Sequence, residues 1–132
     1  MRRVLVVEDE PDFQSIVRRI LEPGGFAVEV AGSAEEAWAR LAQGPRPDVA
    51  VVDWNLPGED GISLCRRIRK DARLATLPLV LLTVRSLPTE QMRGLNEAQA
   101  DLYLTKPIDP EELLTRVETL LGLLDGDREE TR

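Results

Sequence analysis

Short apolar runs that break off at a charged or hydroxyl residue are the feature that most constrains how this chain can fold. Val4 to Val7, Val49 to Val52 and Leu79 to Leu82 contain only valine, leucine and alanine. Runs this short, with no polar alternation, read as strands buried on both faces. Weaker runs lie at Ala27 to Ala31 and Leu102 to Leu104.

Between the runs the spacing turns helical. Phe13, Ile16, Val17, Ile20 and Leu21 share one face, and Ala34, Ala37, Trp38 and Leu41 share another. A third helix is predicted from about Gly61 to Asp71, with Leu64, Cys65 and Ile68 inward and Arg66, Arg67, Arg69 and Lys70 on a solvated face. The fourth, near Pro88 to Ala98, has the thinnest apolar stripe, mainly Met92 and Leu95, so little burial anchors it and it is the expected mobile element. In the fifth, Asp109 caps, Pro110 takes the first turn and Glu112 completes a capping box. Leu113, Leu114, Val117, Leu120, Leu121 and Leu124 face inward there.

Strands that alternate with crossover helices require a parallel sheet with right-handed connections and helices on both faces. The expected fold is therefore α/β: a doubly wound, three-layer sandwich of five parallel strands and five helices. The 132 residues suit one domain, residues 1–124, with 125–132 as a polar tail or the start of a linker.

The net charge of -7 repels nucleic-acid backbones, so direct nucleic-acid binding is not expected. One cysteine, Cys65, allows no internal disulfide. No apolar stretch reaches the roughly eighteen residues of a spanning helix. These features read as a cytoplasmic protein without membrane insertion. The chain has no histidine, which removes the commonest zinc ligand and neutral-pH base.

Ligands of doubly wound sheets bind outside the carboxyl ends of the strands, so the residues that follow each run are the informative ones. These are Glu8, Asp9 and Glu10 after the first, Asp53 after the third, Thr83 after the fourth, and Lys106 followed by Pro107 after the fifth. Any one of them could be an ordinary strand end meeting water. As a set they need compensation, because two carboxylates about 5 Å apart at an effective dielectric of about 20 repel by roughly 3 kcal/mol. Lys106 offsets one charge, and Glu8, Asp9 and Asp53 keep an excess of two that a divalent ion would neutralise. Hard oxygen donors without histidine favour Mg²⁺. A flavodoxin-like nucleotide site is disfavoured, since Glu8-Asp9-Glu10 would repel a phosphate.

The segments VLVVEDE, PDVAVVDWNLPGEDG, LPLVLLT and ADLYLTKP resemble the four signature segments of two-component response-regulator receiver domains, a flavodoxin-like fold. The resemblance covers Met1 to about Leu124. It implies Asp53 as phosphoacceptor, Asp9 and Asp53 as Mg²⁺ ligands together with the Asn55 backbone carbonyl, and Glu8 in support. It further implies that Thr83 and Lys106 contact the phosphoryl oxygens, that Thr83 and Tyr103 act as the switch pair, and that Lys106-Pro107 is cis. Its implied partners are a histidine kinase or phosphotransfer protein as donor, and a downstream protein or output domain on the face of the fourth helix, fifth strand and fifth helix. Asp101 and Arg116 resemble charged positions used by dimers of one subclass, although Arg116 could simply pair with Glu112 four residues away.

Two positions depart from the common pattern: Val84, where a smaller residue is usual, and Gln99, near a usual glycine. Val84 is expected to narrow access to Asp53 and Arg85 to hover over the phosphoryl group, slowing hydrolysis. Two other readings compete with the phosphorylation switch. One is a receiver-like binding module that works without phosphate, for which Val84 is the support. The other is an aspartate-nucleophile phosphatase, which would need a second aspartate where Asn55 stands. The chain is thus read as a non-enzyme that modifies only itself.

Overall fold

Five strands and five helices alternate along residues 1–122, the part of the chain that the computed structural model describes. In chain order they are β1 (Arg2–Val7), α1 (Pro11–Leu21), β2 (Phe26–Ala31), α2 (Ala34–Gln43), β3 (Val49–Val52), α3 (Gly61–Lys70), β4 (Leu79–Thr83), α4 (Pro88–Glu97), β5 (Leu102–Thr105) and α5 (Pro110–Leu120). A single 3₁₀ turn, Glu22–Gly24, links α1 to β2. The expectations for Leu124 and for the tail 125–132 concern residues outside those described.

Every neighbouring strand pair is parallel, in the order β2-β1-β3-β4-β5. The chain leaves β1 for one edge and returns across it to β3, so the winding reverses between these two strands and opens a crevice at their carboxyl ends. This is the flavodoxin-like α/β sandwich that the alternation predicts.

The unbroken valine and leucine runs have a simple cause, because successive side chains point to opposite faces and both faces are covered. Leu5, Val7, Ala50, Val52, Leu79 and Leu81 join one core with Ala34, Ala37 and Leu41 of α2 and Leu64, Cys65 and Ile68 of α3. Val4, Val6, Val49, Val51, Val80 and Leu82 join the other with Val17 and Leu21 of α1 and Leu113 and Val117 of α5. Helices α1 and α5 thus cover one face of the sheet and α2, α3 and α4 the other.

Four side-chain expectations are corrected. Arg69 is not on the solvated face of α3: only 12 % of its side chain is exposed, and its guanidinium donates to the carbonyls of Ala75, Leu77 and Gln99 and pairs with Asp101 at 3.1 Å. Met92 and Leu95 do not point inward but are exposed, and the buried residue of α4 is Gly94. Ile16 is exposed, because α1 is covered along Val17 and Leu21. Glu112 completes no capping box; Asp109 accepts from the Glu111 amide at 3.2 Å, while Glu112 pairs with Arg116 at 3.6 Å.

Candidate functional site

Among the described residues, three polar or charged residues are buried: Glu8, Asp53 and Thr83. All stand at the carboxyl ends of neighbouring strands, where backbone bonds fix them. The Glu8 amide donates to the Ala31 carbonyl and the Asp53 amide to the Val7 carbonyl. Thr83 closes β4 opposite Thr105 of β5, and the Lys106 amide donates to the Thr83 carbonyl at 2.8 Å. Four strands thereby deliver Glu8, Asp53, Thr83 and Lys106 to one edge.

The Lys106 ammonium lies between two carboxylates, donating to Glu8 Oε1 at 2.7 Å and to Asp53 Oδ2 at 2.9 Å. Burial by itself lowers an ammonium's pKa; here the two carboxylates outweigh burial and raise it. Burial pushes the Glu8 carboxyl up, opposed by the bonds from Lys106 and the Glu10 amide and assisted by the charge on Asp53. The peptide bond between Lys106 and Pro107 is cis, as the resemblance implies.

Carboxylate oxygens of Glu8, Asp9 and Asp53 all lie within 4.8 Å of one another. With Lys106 counted, this group retains two negative charges. An all-oxygen donor set with that charge fits a hard divalent cation. Asn55 joins through its backbone, its amide donating to Asp53 Oδ1 at 3.1 Å.

Neither Thr83 nor Tyr103 hydrogen-bonds to the Asp53 carboxylate, which accepts from the Asn55 amide and Lys106. The Thr83 hydroxyl faces the Arg85 amide at 3.5 Å, and the Tyr103 hydroxyl donates to the Arg85 carbonyl at 2.7 Å. Arg85 is the hub of this side: its Nε donates to Asn55 Oδ1 at 3.0 Å, its Nη1 meets Glu90 of α4 at 3.3 Å, and its guanidinium stacks 4.5 Å from the Trp54 ring centre. Val84 beside it is exposed, with 61 % of its surface open to solvent.

The sequence reading missed Glu90, Gln14 and Phe13 as parts of this region. Glu90 carried a signal, since a glutamate three residues into a helix commonly takes the capping amide, and here its carboxylate accepts from the Leu87 amide at 3.2 Å. For Gln14, whose side-chain amide donates to the Glu8 carbonyl at 2.5 Å, nothing in the sequence pointed to the contact. Phe13 was legible only as a core residue.

Over residues 4–118 the sequence matches the response regulator receiver domain. The chain belongs to this family. It is 41% identical over 119 residues to the phosphate regulon transcriptional regulatory protein PhoB of Rhizobium meliloti (strain 1021), covering 90% of this chain and 52% of that protein. It is 38% identical to the DNA-binding dual master transcriptional regulator RpaA of Synechocystis sp., covering 95% of this chain and 51% of that one. The receiver domain of the Francisella response regulator 1452 superposes with a TM-score of 0.84 at 31% identity, covering 94% of this chain and 99% of that one.

The receiver therefore spans about half the length of the curated relatives it matches. The charge argument against nucleic acid accordingly applies to these 132 residues only. Receivers are signalling switches and not turnover enzymes. Among the described residues, no helix is long and apolar enough to cross a membrane.

Proposed function

We propose that this receiver is a cytoplasmic switch that accepts a phosphoryl group on Asp53 from a histidine kinase or phosphotransfer protein. The observation that carries the reading is the Lys106 ammonium held between Glu8 and Asp53, in a crevice where Asp9 adds a third carboxylate. A structural ion pair needs one carboxylate per lysine; a third, at the cost of unrelieved repulsion, is the signature of a site built for a cation and a reaction.

An oxygen of Asp53 would attack phosphorus as the bond to the donor breaks, leaving an aspartyl phosphate. Mg²⁺ bound by Asp9, Asp53 and the Asn55 carbonyl, with Glu8 in support, would supply charge neutralisation for the transferring group. Lys106 would exchange its Asp53 oxygen for a phosphoryl oxygen, and Thr83 would donate its hydroxyl to another.

Recruiting Thr83 alters its neighbour Arg85, whose carbonyl holds Tyr103 and whose side chain holds Glu90. That chain of contacts is the route by which phosphate would shift the population of α4 and Tyr103 and present the α4, β5 and α5 face to a downstream protein or output domain. A homodimer would use the same face. Against the phosphate-independent module stands the complete set of Glu8, Asp9, Asp53, Thr83 and Lys106 at one sheet edge.

Intact mass after incubation with Mg²⁺ and acetyl phosphate tests the reading. We expect the gain of one phosphoryl group, dependent on Mg²⁺ and lost in Asp53→Asn. A protein that binds Mg²⁺ yet gains no mass, with either acetyl phosphate or a histidine kinase as donor, would overturn it.

A further inference from the structure

An ammonium carries three N–H donors, and Lys106 spends two of them on Glu8 and Asp53. Among the described residues no third protein acceptor meets it. Instead the ammonium lies 4.1 Å from the centre of the Phe13 ring. Only 10 % of the Lys106 side chain is exposed, so the face of the ring is a main neighbour of the ammonium besides the two carboxylates.

Phe13 is held there from two sides. Pro11 sets the start of α1, and Gln14 ties the first turn of that helix to the Glu8 carbonyl at 2.5 Å. Below, the ring packs on the α1 and α5 side of the sheet, beside Val6, Val17, Val51 and Leu82. Packing alone would be met by any apolar side chain of that size; an ammonium over the face calls for an aromatic one.

We propose that Phe13 is a positioning residue for Lys106. The inference rests on the phosphorylation reading above. Both carboxylates that hold the lysine change during that reaction, one by taking a phosphoryl group and the other by its place beside a cation. The ring neither titrates nor reacts, so it keeps the ammonium aimed at Asp53 while its other bonds are exchanged.

The test replaces Phe13 with phenylalanines bearing successively more ring fluorines, which keep the ring's shape while draining its negative face. We expect the rate of phosphorylation by acetyl phosphate to fall stepwise with fluorine count, and Phe13→Leu to be slower by about three- to ten-fold. Urea midpoints of the fluorinated proteins should stay level. A flat series of rates would overturn the proposal.

A second readout needs neither donor nor metal. The Lys106 ε-methylene protons should be shifted upfield by the ring current and return to their ordinary position in Phe13→Leu; no displacement in the unsubstituted protein would also overturn it. If the unsubstituted protein takes no phosphate, the phosphorylation reading fails, and the ring-current shift alone decides whether Phe13 holds Lys106.

Discussion

Two neighbouring residues of the β4–α4 loop have opposite fates: Val84 turns out to solvent, while Arg85 turns in over Trp54 and Asn55. Asn55 is also the residue whose amide holds Asp53, so the guanidinium sits two hydrogen bonds away from that carboxylate. Arg85 is thus placed to act on the lifetime of a phosphoryl group on Asp53. We expect Arg85→Ala to shorten the aspartyl-phosphate lifetime by about three- to ten-fold, the range of one charge-assisted bond to a phosphoryl oxygen. Val84→Ala, which removes only two methyl groups at an exposed position, should shorten it less. Decay of the phosphorylated mass after Mg²⁺ is chelated measures both, and equal lifetimes for the unsubstituted protein and Arg85→Ala would remove Arg85 from the account. Glu8, Asp53 and Lys106 were legible at this scale because residue type and strand-end position suffice to find them. Glu90 and Gln14 were not, since their partners come from other segments and any polar residue at a helix start looks alike in sequence.

Helix α4 is attached to the sheet through a glycine. A Cβ on Gly94 would stand 2.7 Å from Tyr103 Cε2 and 2.9 Å from Leu81 Cδ1, closer than packed atoms sit, so the helix lies against Tyr103 only because that position is bare. The thin stripe of α4 was legible in the sequence, but its inward face was assigned to Met92 and Leu95, and close approach placed Gly94 there instead. Gly94→Ala sets helix propensity, worth about 1 kcal/mol in favour, against overpacking that costs about 1–3 kcal/mol. We expect a net loss of about 1 kcal/mol in urea unfolding, with faster amide exchange confined to α4. A variant as stable as the parent, with unchanged exchange, would show that α4 does not depend on this contact. Gly61 plays the same part under the loop after β3, where a Cβ would collide with the Asp53 carbonyl and where the Gly61 amide donates to the Trp54 carbonyl. On the proposed output face, Asp101 is taken by Arg69 and the Leu79 amide, and Arg116 pairs with Glu112. A dimer that used Asp101 and Arg116 would have to exchange these bonds.

At the scale of the molecule, the two cores keep nearly every buried group among the described residues apolar, and the buried Cys65 thiol shows how strongly. Burial pushes Cys65 up to about 12 from 9.0, with Arg69 pulling it down and Asp60 pushing it up. Above about pH 9 an unfolded chain loses this proton while the folded chain keeps it, so the unfolded state binds fewer protons and stability falls as pH rises through that window. The contribution is complete below the unfolded value and lost as pH passes the folded one. Cys65→Ala should therefore lose about 1 kcal/mol at neutral pH to the small cavity, yet decline less steeply than the parent towards about pH 10; parallel declines in urea midpoint would show that the thiol is not the group responsible. The sequence by itself determined the layers, the winding and the edge that holds the chemistry, because hydrophobic period and strand-end residue type are local properties written along the chain. Only the tertiary structure decided that Arg69 is an internal anchor, that Gly94 is the inward residue of α4, that Arg85 bonds to Asn55, and that Phe13 faces Lys106. Each of these depends on which segments the right-handed crossovers bring side by side, and a contact between residues as far apart as 13 and 106 leaves no period in either.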